Sequence, residues 1–459
     1  MNQTNPEHVH FIGIGGYGMS AIAKVMLELG YRVTGSDVVR KDLTDKLAAK
    51  GAQVFIGHEA KNVQGADVVV YSTACGEDNV ERQAAKALNI PVLHRSQMLA
   101  RLMNEKTGIA VAGAHGKTTT SSMIALVMEL NDLDPTYIIG GEIMNVGSNA
   151  KAGKGNFVVA EADESDGSFL QYYPSMALVT NIEADHLENY GGDFNNLLQA
   201  YSQFLSQVKE DGHAILCADD PYLQTMMKEV KGQLITYGIE QQADYMAKNI
   251  QLGDRKARFT VAHHGRELGE IELFVPGMHN VYNALATVIV CMQAGLAFDQ
   301  IADSIKQFRG AKRRFQVIGE VNDIMVIDDY AHHPTEIQAT IEAAKATGKN
   351  ITAVFQPQRY SRTFFLLDQF SRSFAEADQV IITDIFAPEG EKRIEGVHSE
   401  KLAELIRQNS NANVRYIPTK EEVEEYLYQT SKPGDLIITM GAGDIWQTAE
   451  RLYRRLKAE

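Results

Sequence analysis

Seven consecutive residues, Gly113-Ala114-His115-Gly116-Lys117-Thr118-Thr119, combine two glycines, a lysine and two threonines in an order that suits the holding of a polyphosphate. Small residues let backbone N–H groups close on phosphate oxygens, Lys117 supplies a cation at the β/γ position, and the Thr118 hydroxyl can ligate Mg²⁺. The full phosphate-loop pattern begins with a glycine where this chain has Val111, so the motif is the shortened form G-x-x-G-K-T. A surface turn would read the same in isolation, but an apolar strand, Thr107 to Ala112, precedes the loop, and a helical apolar pattern (Met123, Ile124, Leu126, Val127, Leu130) follows it. Downstream, two further apolar runs empty into acids: Glu161-Ala162-Asp163-Glu164-Ser165-Asp166 and Glu183-Ala184-Asp185-His186. Carboxylates at strand ends beside a phosphate loop are where Mg²⁺ is needed to neutralise a triphosphate, which makes Glu161 and His186 metal candidates. Asp163, Glu164 and Asp166 read equally well as helix caps.

A second glycine loop lies near the N-terminus. Gly13-Ile14-Gly15-Gly16-Tyr17-Gly18 follows a strand, and Asp37 ends the next strand about twenty residues on. This pattern seats a diphosphate on a helix N-terminus, which NAD, FAD and UDP-sugars all satisfy. Asp37 is either a ribose or base ligand or an ordinary strand-end acid. Other polar landmarks are Pro276-Gly277-Met278-His279-Asn280, where Asn280 alternatively caps a helix, Gly310 to Phe315 with Arg314, Asp328 to Pro334, Gln356 to Arg362, and Gly441 to Asp444. His332 and His333 adjoin in sequence, so their side chains need not converge, and hydrogen bonding or packing describes them better than a metal pair.

These residues need a scaffold, and the 459-residue length predicts about three domains at ~150 residues each. The pattern predicts an α/β chain: an N-terminal Rossmann-like domain (1–105), a central ATPase domain of mostly parallel sheet (106–312), and a C-terminal Rossmann-like domain (313–459). Within the central domain, short alternating strands from Leu234 to Val275 form a small β excursion. A net charge of −15 argues against nucleic acid or an anionic membrane as partner. Cys75, Cys217 and Cys291 lack ligand spacing and read as free thiols in a reducing compartment. Met1 to Glu7 is polar, and no apolar run reaches membrane-spanning length, so the expectation is a cytoplasmic enzyme without membrane insertion.

In order along the chain stand G-x-G-G-x-G-M, G-x-H-G-K-T-T, E-A-D-E-S-D, N-I-E-A-D-H, P-G-x-H-N-x-x-N-A-L-A, R-R-F, D-D-Y-x-H-H-P-T-E and F-Q-P-x-R-Y-x-R-T. Together they resemble the Mur ligase family, and within it the member that joins L-alanine to UDP-N-acetylmuramate. The resemblance implies an ATP-dependent amide-forming ligase with Mg²⁺, for which Mn²⁺ can substitute, acting as a monomer or homodimer. It turns the first loop toward a UDP-sugar, held by Gly13, Gly15, Gly16, Gly18, Met19, Asp37 and Ser72. It implies that Gly113, Ala114, His115, Gly116, Lys117, Thr118 and Thr119 hold ATP, with His279 and Asn280 at the adenine, Asp329 at the ribose and Arg314 at the phosphates. Thr118, Glu161 and His186 would bind metal, and His332, Arg359 and Arg362 would line the substrate and amino-acid end. Lys117, His186, Arg314 and His332 are the catalytic set so implied. Two positions depart from the family pattern: Gln358 stands where histidine is usual, and Ala331 where glycine is frequent.

The chemistry accounts for these parts. A carboxylate is a poor electrophile, so ATP must convert it to an acyl phosphate before an amine can attack, and phosphoryl transfer is chiefly positioning plus electrostatics. An acyl phosphate hydrolyses easily, so the site must exclude water. An NAD-dependent oxidoreductase would use the first loop but leave the phosphate loop idle, and a nucleotide switch would leave Arg359 and Arg362 idle. The nearest rival is the related ligase that attaches a recycled tripeptide to the same sugar nucleotide.

Overall fold

The computed structural model describes residues 7–253, 255–388 and 391–458; the N-terminal Met1 to Pro6 discussed above lie outside them. The chain divides into two compact units, one of residues 1–247, 261–269 and 283–305, the other of residues 248–260, 270–282 and 306–459.

In the first unit, β1 (His8–Ile12), β2 (Arg32–Asp37), β3 (Gln53–Ile56), β4 (Val68–Tyr71) and β5 (Val92–His94) form an all-parallel sheet in the order β3-β2-β1-β4-β5. The order reverses between β1 and β4, and ligands settle in the crevice at the carboxyl ends of strands at such a reversal. The first glycine loop follows β1, and Ser72 follows β4. The chain then runs through β6 (Thr107–Ala112), β7 (Thr136–Ile143), β8 (Ser148–Lys151), β9 (Phe157–Glu161), β10 (Met176–Val179), β11 (His213–Cys217) and β12 (Gln233–Gly238). They stand in the order β12-β11-β10-β6-β9-β7-β8 within a ten-stranded sheet, parallel except for the β7–β8 pair. Here the reversal falls at β6, flanked by β9 and β10, so the phosphate loop, Glu161 and the Asn181–His186 segment share one rim.

The expected β excursion exists as β13 (Tyr245–Gly253), β14 (Lys256–His263) and β15 (Arg266–Leu273), three strands in succession without an intervening helix. It starts later than the pattern suggests, because Gln233–Gly238 pairs parallel with β11, and it extends the same ten-stranded sheet, β13 pairing parallel with β12.

The second unit carries β16 (Gln316–Val321), β17 (Ile324–Asp329), β18 (Asn350–Phe355), β19 (Gln379–Ile382), β20 (Val414–Tyr416) and β21 (Asp435–Met440), ordered β16-β17-β21-β18-β19-β20. All pairs are parallel except the β16–β17 edge. Alternation along the strands splits the core: Met325, Ile327, Ala353, Phe355 and Ile438 pack on one face, Ile324, Val326, Val354 and Ile437 on the other. A parallel sheet buried on both faces requires such near-continuous apolar strands. Because β17, β21 and β18 are neighbours, the segments that follow them, at Tyr330, Gly441 and Gln356, emerge side by side.

Candidate active site

The phosphate loop owes its shape to its glycines and to the strand beside it. Gly113 (φ 127°) and Gly116 (φ 86°) occupy the left-handed region, and a Cβ on Gly113 would lie 2.1 Å from Thr180 Oγ1. The loop is braced by neutral groups: His115 N donates to Asn181 Oδ1 (2.9 Å), while Thr180 Oγ1 (2.6 Å) and Asn181 Nδ2 (3.1 Å) donate to the His115 carbonyl. Thr120 Oγ1 donates to Asn283 Oδ1 (3.1 Å), which also closes the space beside Gly116. Helix Lys117–Leu130 therefore starts with its amide groups aimed out of the rim and no acid in its first turn.

Lys117 Nζ donates to the Gly113 carbonyl (2.5 Å) and to both oxygens of Glu164 (2.8 and 2.9 Å). Burial opposes its charge, but Glu164, Asp163 and Glu161 outweigh burial and hold the ammonium above the ordinary lysine range. Asp163 shows the converse: burial works against its charge, yet Lys117 and Arg95 pull its carboxyl down to about 2. Glu161 ends β9 beside the strand that feeds the loop, and one of its oxygens accepts from Gly140 N (2.6 Å). His186 sits at φ 56°, with Nε2 3.5 Å from Asp185 Oδ2, in the segment after β10. Thr118, Glu161 and His186 thus end up on segments of one rim, and a hydroxyl, a carboxylate and an imidazole are donor types that Mg²⁺ or Mn²⁺ accepts.

At the first loop, Gly13 adopts φ 79°, and Gly13 N and Ile14 N donate to the Ser36 carbonyl (2.8 and 3.0 Å). Asp37, 3% exposed, accepts from Gly15 N (2.9 Å). Its carboxylate thus braces the loop, and any ribose contact would be made by the same oxygens. Helix Tyr17–Glu28 begins at Gly16 without a side-chain cap, leaving its first amide groups for an anion. Met19 is buried beneath this start, and Ser72 Oγ lies 3.9 Å from where a Gly13 Cβ would be.

In the second unit, Asp329 is engaged rather than open: Phe315 N (2.6 Å) and Ala331 N (2.7 Å) donate to its two oxygens. Burial pushes its carboxyl up to about 6, against Arg314 and those two amides. Glu336, which the sequence pattern did not single out, gathers the site here: Arg314 Nη1 lies 3.4 Å from Oε1, and His332 N donates to Oε2 (2.9 Å). Its signal was the capping box H-P-T-E at the start of helix Pro334–Lys345. Arg313 was also missed; it clamps Asp328 (2.9 Å) and the Gly441 and Gly443 carbonyls. Arg362 Nη1 donates to Gln358 Oε1 (2.9 Å), and Arg359 holds φ 69° where helix Tyr360–Phe365 begins. Asn280 does not cap its helix: it lies inside Met278–Gln293 and donates to the Pro276 carbonyl (2.6 Å). The expected site residues thus fall into two sets. The two glycine loops, Glu161 and His186 belong to the first unit, and His279, Asn280, Arg314, Asp329, His332, Arg359 and Arg362 to the second.

Comparison with known proteins extends this geometry. Residues 8–107 match the model described as the Mur ligase family catalytic domain, 111–291 the Mur ligase middle domain, and 313–443 the Mur ligase glutamate ligase domain. A protein of Pelotomaculum thermopropionicum named UDP-N-acetylmuramate--L-alanine ligase is 51% identical over 98% of both chains. One of the same name from Geobacter sulfurreducens is 46% identical, again over 98% of both. Among solved structures, the UDP-N-acetylmuramate-alanine ligase of Thermotoga maritima superposes with a TM-score of 0.82 at 28% identity, covering 98% of this chain and 99% of that one. A murein peptide ligase of Psychrobacter arcticus shares the fold, with a TM-score of 0.71 at 24% identity over 98% of each chain.

Proposed function

The chain belongs to the Mur ligase family, and from that premise we propose that it joins L-alanine to the carboxylate of UDP-N-acetylmuramate, an ATP-dependent step in making peptidoglycan precursors. The observation that carries this reading is the setting of Lys117. A cation held among carboxylates at the reversal point of a parallel sheet suits transfer of a γ-phosphoryl group.

In this reading the sugar carboxylate attacks the γ-phosphorus and ADP leaves. The amine of L-alanine then attacks the acyl carbon, and the tetrahedral intermediate expels phosphate while the nitrogen gives up its proton. Lys117, released from Glu164 onto the β/γ-oxygens, spreads the developing charge, and the amides of residues 113–119 hold the remaining phosphate oxygens. Thr118, Glu161 and His186 would hold Mg²⁺, or Mn²⁺ in its place, which supplies further neutralisation of the triphosphate. His279 and Asn280 serve the adenine, Asp329 the ribose and Arg314 the phosphates. His332, Arg359 and Arg362 serve the substrate and amino-acid end. Gly13, Gly15, Gly16, Gly18, Met19, Asp37 and Ser72 serve the UDP-sugar. The functional segments are 1–105, 106–312 and 313–459, supported by family matches at 8–107, 111–291 and 313–443. The location proposed is the cytoplasm, where ATP and sugar nucleotides are made; among the described residues no helix is long and apolar enough to cross a membrane.

The test is ADP release with UDP-N-acetylmuramate against a panel of amino acids and the tripeptide, with ¹⁸O in the sugar carboxylate. Turnover with L-alanine and label in the released phosphate are expected. AMP and pyrophosphate would overturn the acyl-phosphate route, and turnover with the tripeptide alone would favour the rival ligase.

A further inference from the structure

Between the two glycine loops lies a turn whose acids face opposite ways. Asp163 and Asp166 each give Oδ1 to the turn itself, accepting from Ser165 N and Ser168 N (both 3.0 Å). Each gives Oδ2 to the same guanidinium nitrogen: Arg95 Nη2 lies 3.0 Å from Asp163 and 3.3 Å from Asp166. Thr73, in the segment after β4, adds a bond to Asp166 Oδ2 (3.1 Å). Glu164, between the two aspartates, turns the other way and holds Lys117. The turn is therefore fastened on one side to the sugar-nucleotide crevice and on the other to the phosphate-loop lysine.

Arg95 is placed to sense that crevice. It opens helix Arg95–Asn104, directly after β5, and its side chain is 27% exposed. While Nη2 serves the aspartates, Nη1 points at the first loop, 3.5 Å from where a Cβ on Gly18 would lie. No hydrogen bond from Nη1 to any described residue accompanies that approach, and Gly18 lies in the first turn of the helix whose amides are left for an anion. A guanidinium is a rigid planar fork, so an anion taken on one nitrogen constrains where the other points.

We propose that Arg95 is the positioning residue through which a bound sugar nucleotide acts on Lys117. An oxyanion of the UDP diphosphate engages Nη1, which fixes Nη2 on Asp163 and Asp166. The turn is thereby held where Glu164 and Lys117 present the phosphate loop ready for ATP. The coupling is reciprocal by thermodynamic necessity: ATP tightens sugar-nucleotide binding by the same factor. This inference rests on the assignment of the first loop to a UDP-sugar.

The test is isothermal titration of the intact protein with Mg²⁺ and the non-hydrolysable β,γ-imido analogue of ATP, with and without saturating UDP-N-acetylmuramate, in wild type, Arg95→Ala and Arg95→Lys. In wild type the sugar nucleotide should tighten analogue binding by about fivefold or more, the lower end of ordinary coupling. Arg95→Ala should bring that factor to within twofold of unity while leaving analogue affinity alone within about threefold. Arg95→Lys, which keeps the charge and loses the fork, should match wild type in melting temperature and analogue affinity yet lose most of the coupling. Wild-type coupling in Arg95→Ala, full coupling in Arg95→Lys, or equal loss of both affinities with a lowered melting temperature would each overturn the proposal. If wild type binds both ligands without coupling, the proposal falls and the sugar-site assignment stands. If wild type fails to bind the sugar nucleotide at all, the assignment falls and takes the proposal with it.

Discussion

The two glycine loops of the first unit share one plan, a parallel strand, a tight turn and a helix start at the reversal point of a sheet, yet they are braced by opposite chemistry. The loop at Gly13 to Gly18 contains no lysine and leans on a buried carboxylate, Asp37, which accepts from Gly15 N. The loop at Gly113 to Thr119 leans on neutral hydroxyl and amide groups, Thr180, Asn181 and Asn283, and carries a lysine already surrounded by acids. The carboxylate under the first loop also meets Lys41 Nζ (3.3 Å), so its charge is paired, and the proposed diphosphate would be held by amides and the helix dipole. Around the second loop the charge of Lys117 is matched by Glu164, and a triphosphate with its metal would have to draw the lysine from that partner.

The largest test of this contrast is Lys117→Ala. Turnover should fall by about 10² to 10³, the usual loss on removing a key electrostatic donor, while binding of the UDP-sugar stays near wild type. Steady-state rates paired with equilibrium titration would show it, and near-normal turnover would mean the second loop is not the ATP loop.

Next in size are the proposed metal residues. Glu161→Ala should cost more activity than His186→Ala, because a carboxylate can bridge two ions and an imidazole serves one. Mn²⁺ should restore the His186 variant better than Mg²⁺, and excess chelator should abolish activity in every form. Full activity in chelator would remove the metal from the second loop altogether.

A smaller effect is expected at the first loop's brace. Asp37→Ala removes an acceptor from Gly15 N, and a hydrogen bond to a charged group contributes about 1.5–3 kcal/mol. The KM for the UDP-sugar should rise by roughly tenfold or more with the KM for ATP unchanged. Equal shifts in both would show that the two loops are not separately braced.

Asp329 repeats the first loop's device in the second unit, a strand-end carboxylate receiving two backbone amides, and offers a test that leaves turnover aside. Its carboxyl is raised by burial from 3.8 to about 6, so the folded chain holds this proton more tightly than the unfolded one. Stability must therefore decline as pH rises from about 4 to about 6, by roughly 3 kcal/mol from this group, and stay level above that. Asp329→Asn should flatten that stretch of the melting-temperature profile, and an unchanged slope would assign the decline to other groups.

Much of this was legible because the rules involved are local. A glycine needing positive φ, a lysine after a strand and a helix beginning at a small residue all lie within a few positions of one another, so both loops and the acids at Glu161 and His186 could be read from the chain. Short apolar runs likewise mark β17, β18 and β21, whose burial on both faces demands them. Strands without that signal were not found. β3 has no fully buried residue, β7 holds a glycine pair, and β16 is an antiparallel edge whose Gly319 faces the Tyr453 ring.

What the sequence determined by itself is the inventory: two glycine loops, the acids at the strand ends and the parallel strands that must precede them, because each follows from residues adjacent in the chain. Only the tertiary structure decided the pairings. Glu164 meets Lys117 across 47 residues, Asn283 meets Thr120 across 163, and Arg95 meets Asp163 across 68. The first closes because sheet order sets β9 beside β6, the others because helices and a second sheet pack against that one, and no local preference specifies which elements become neighbours.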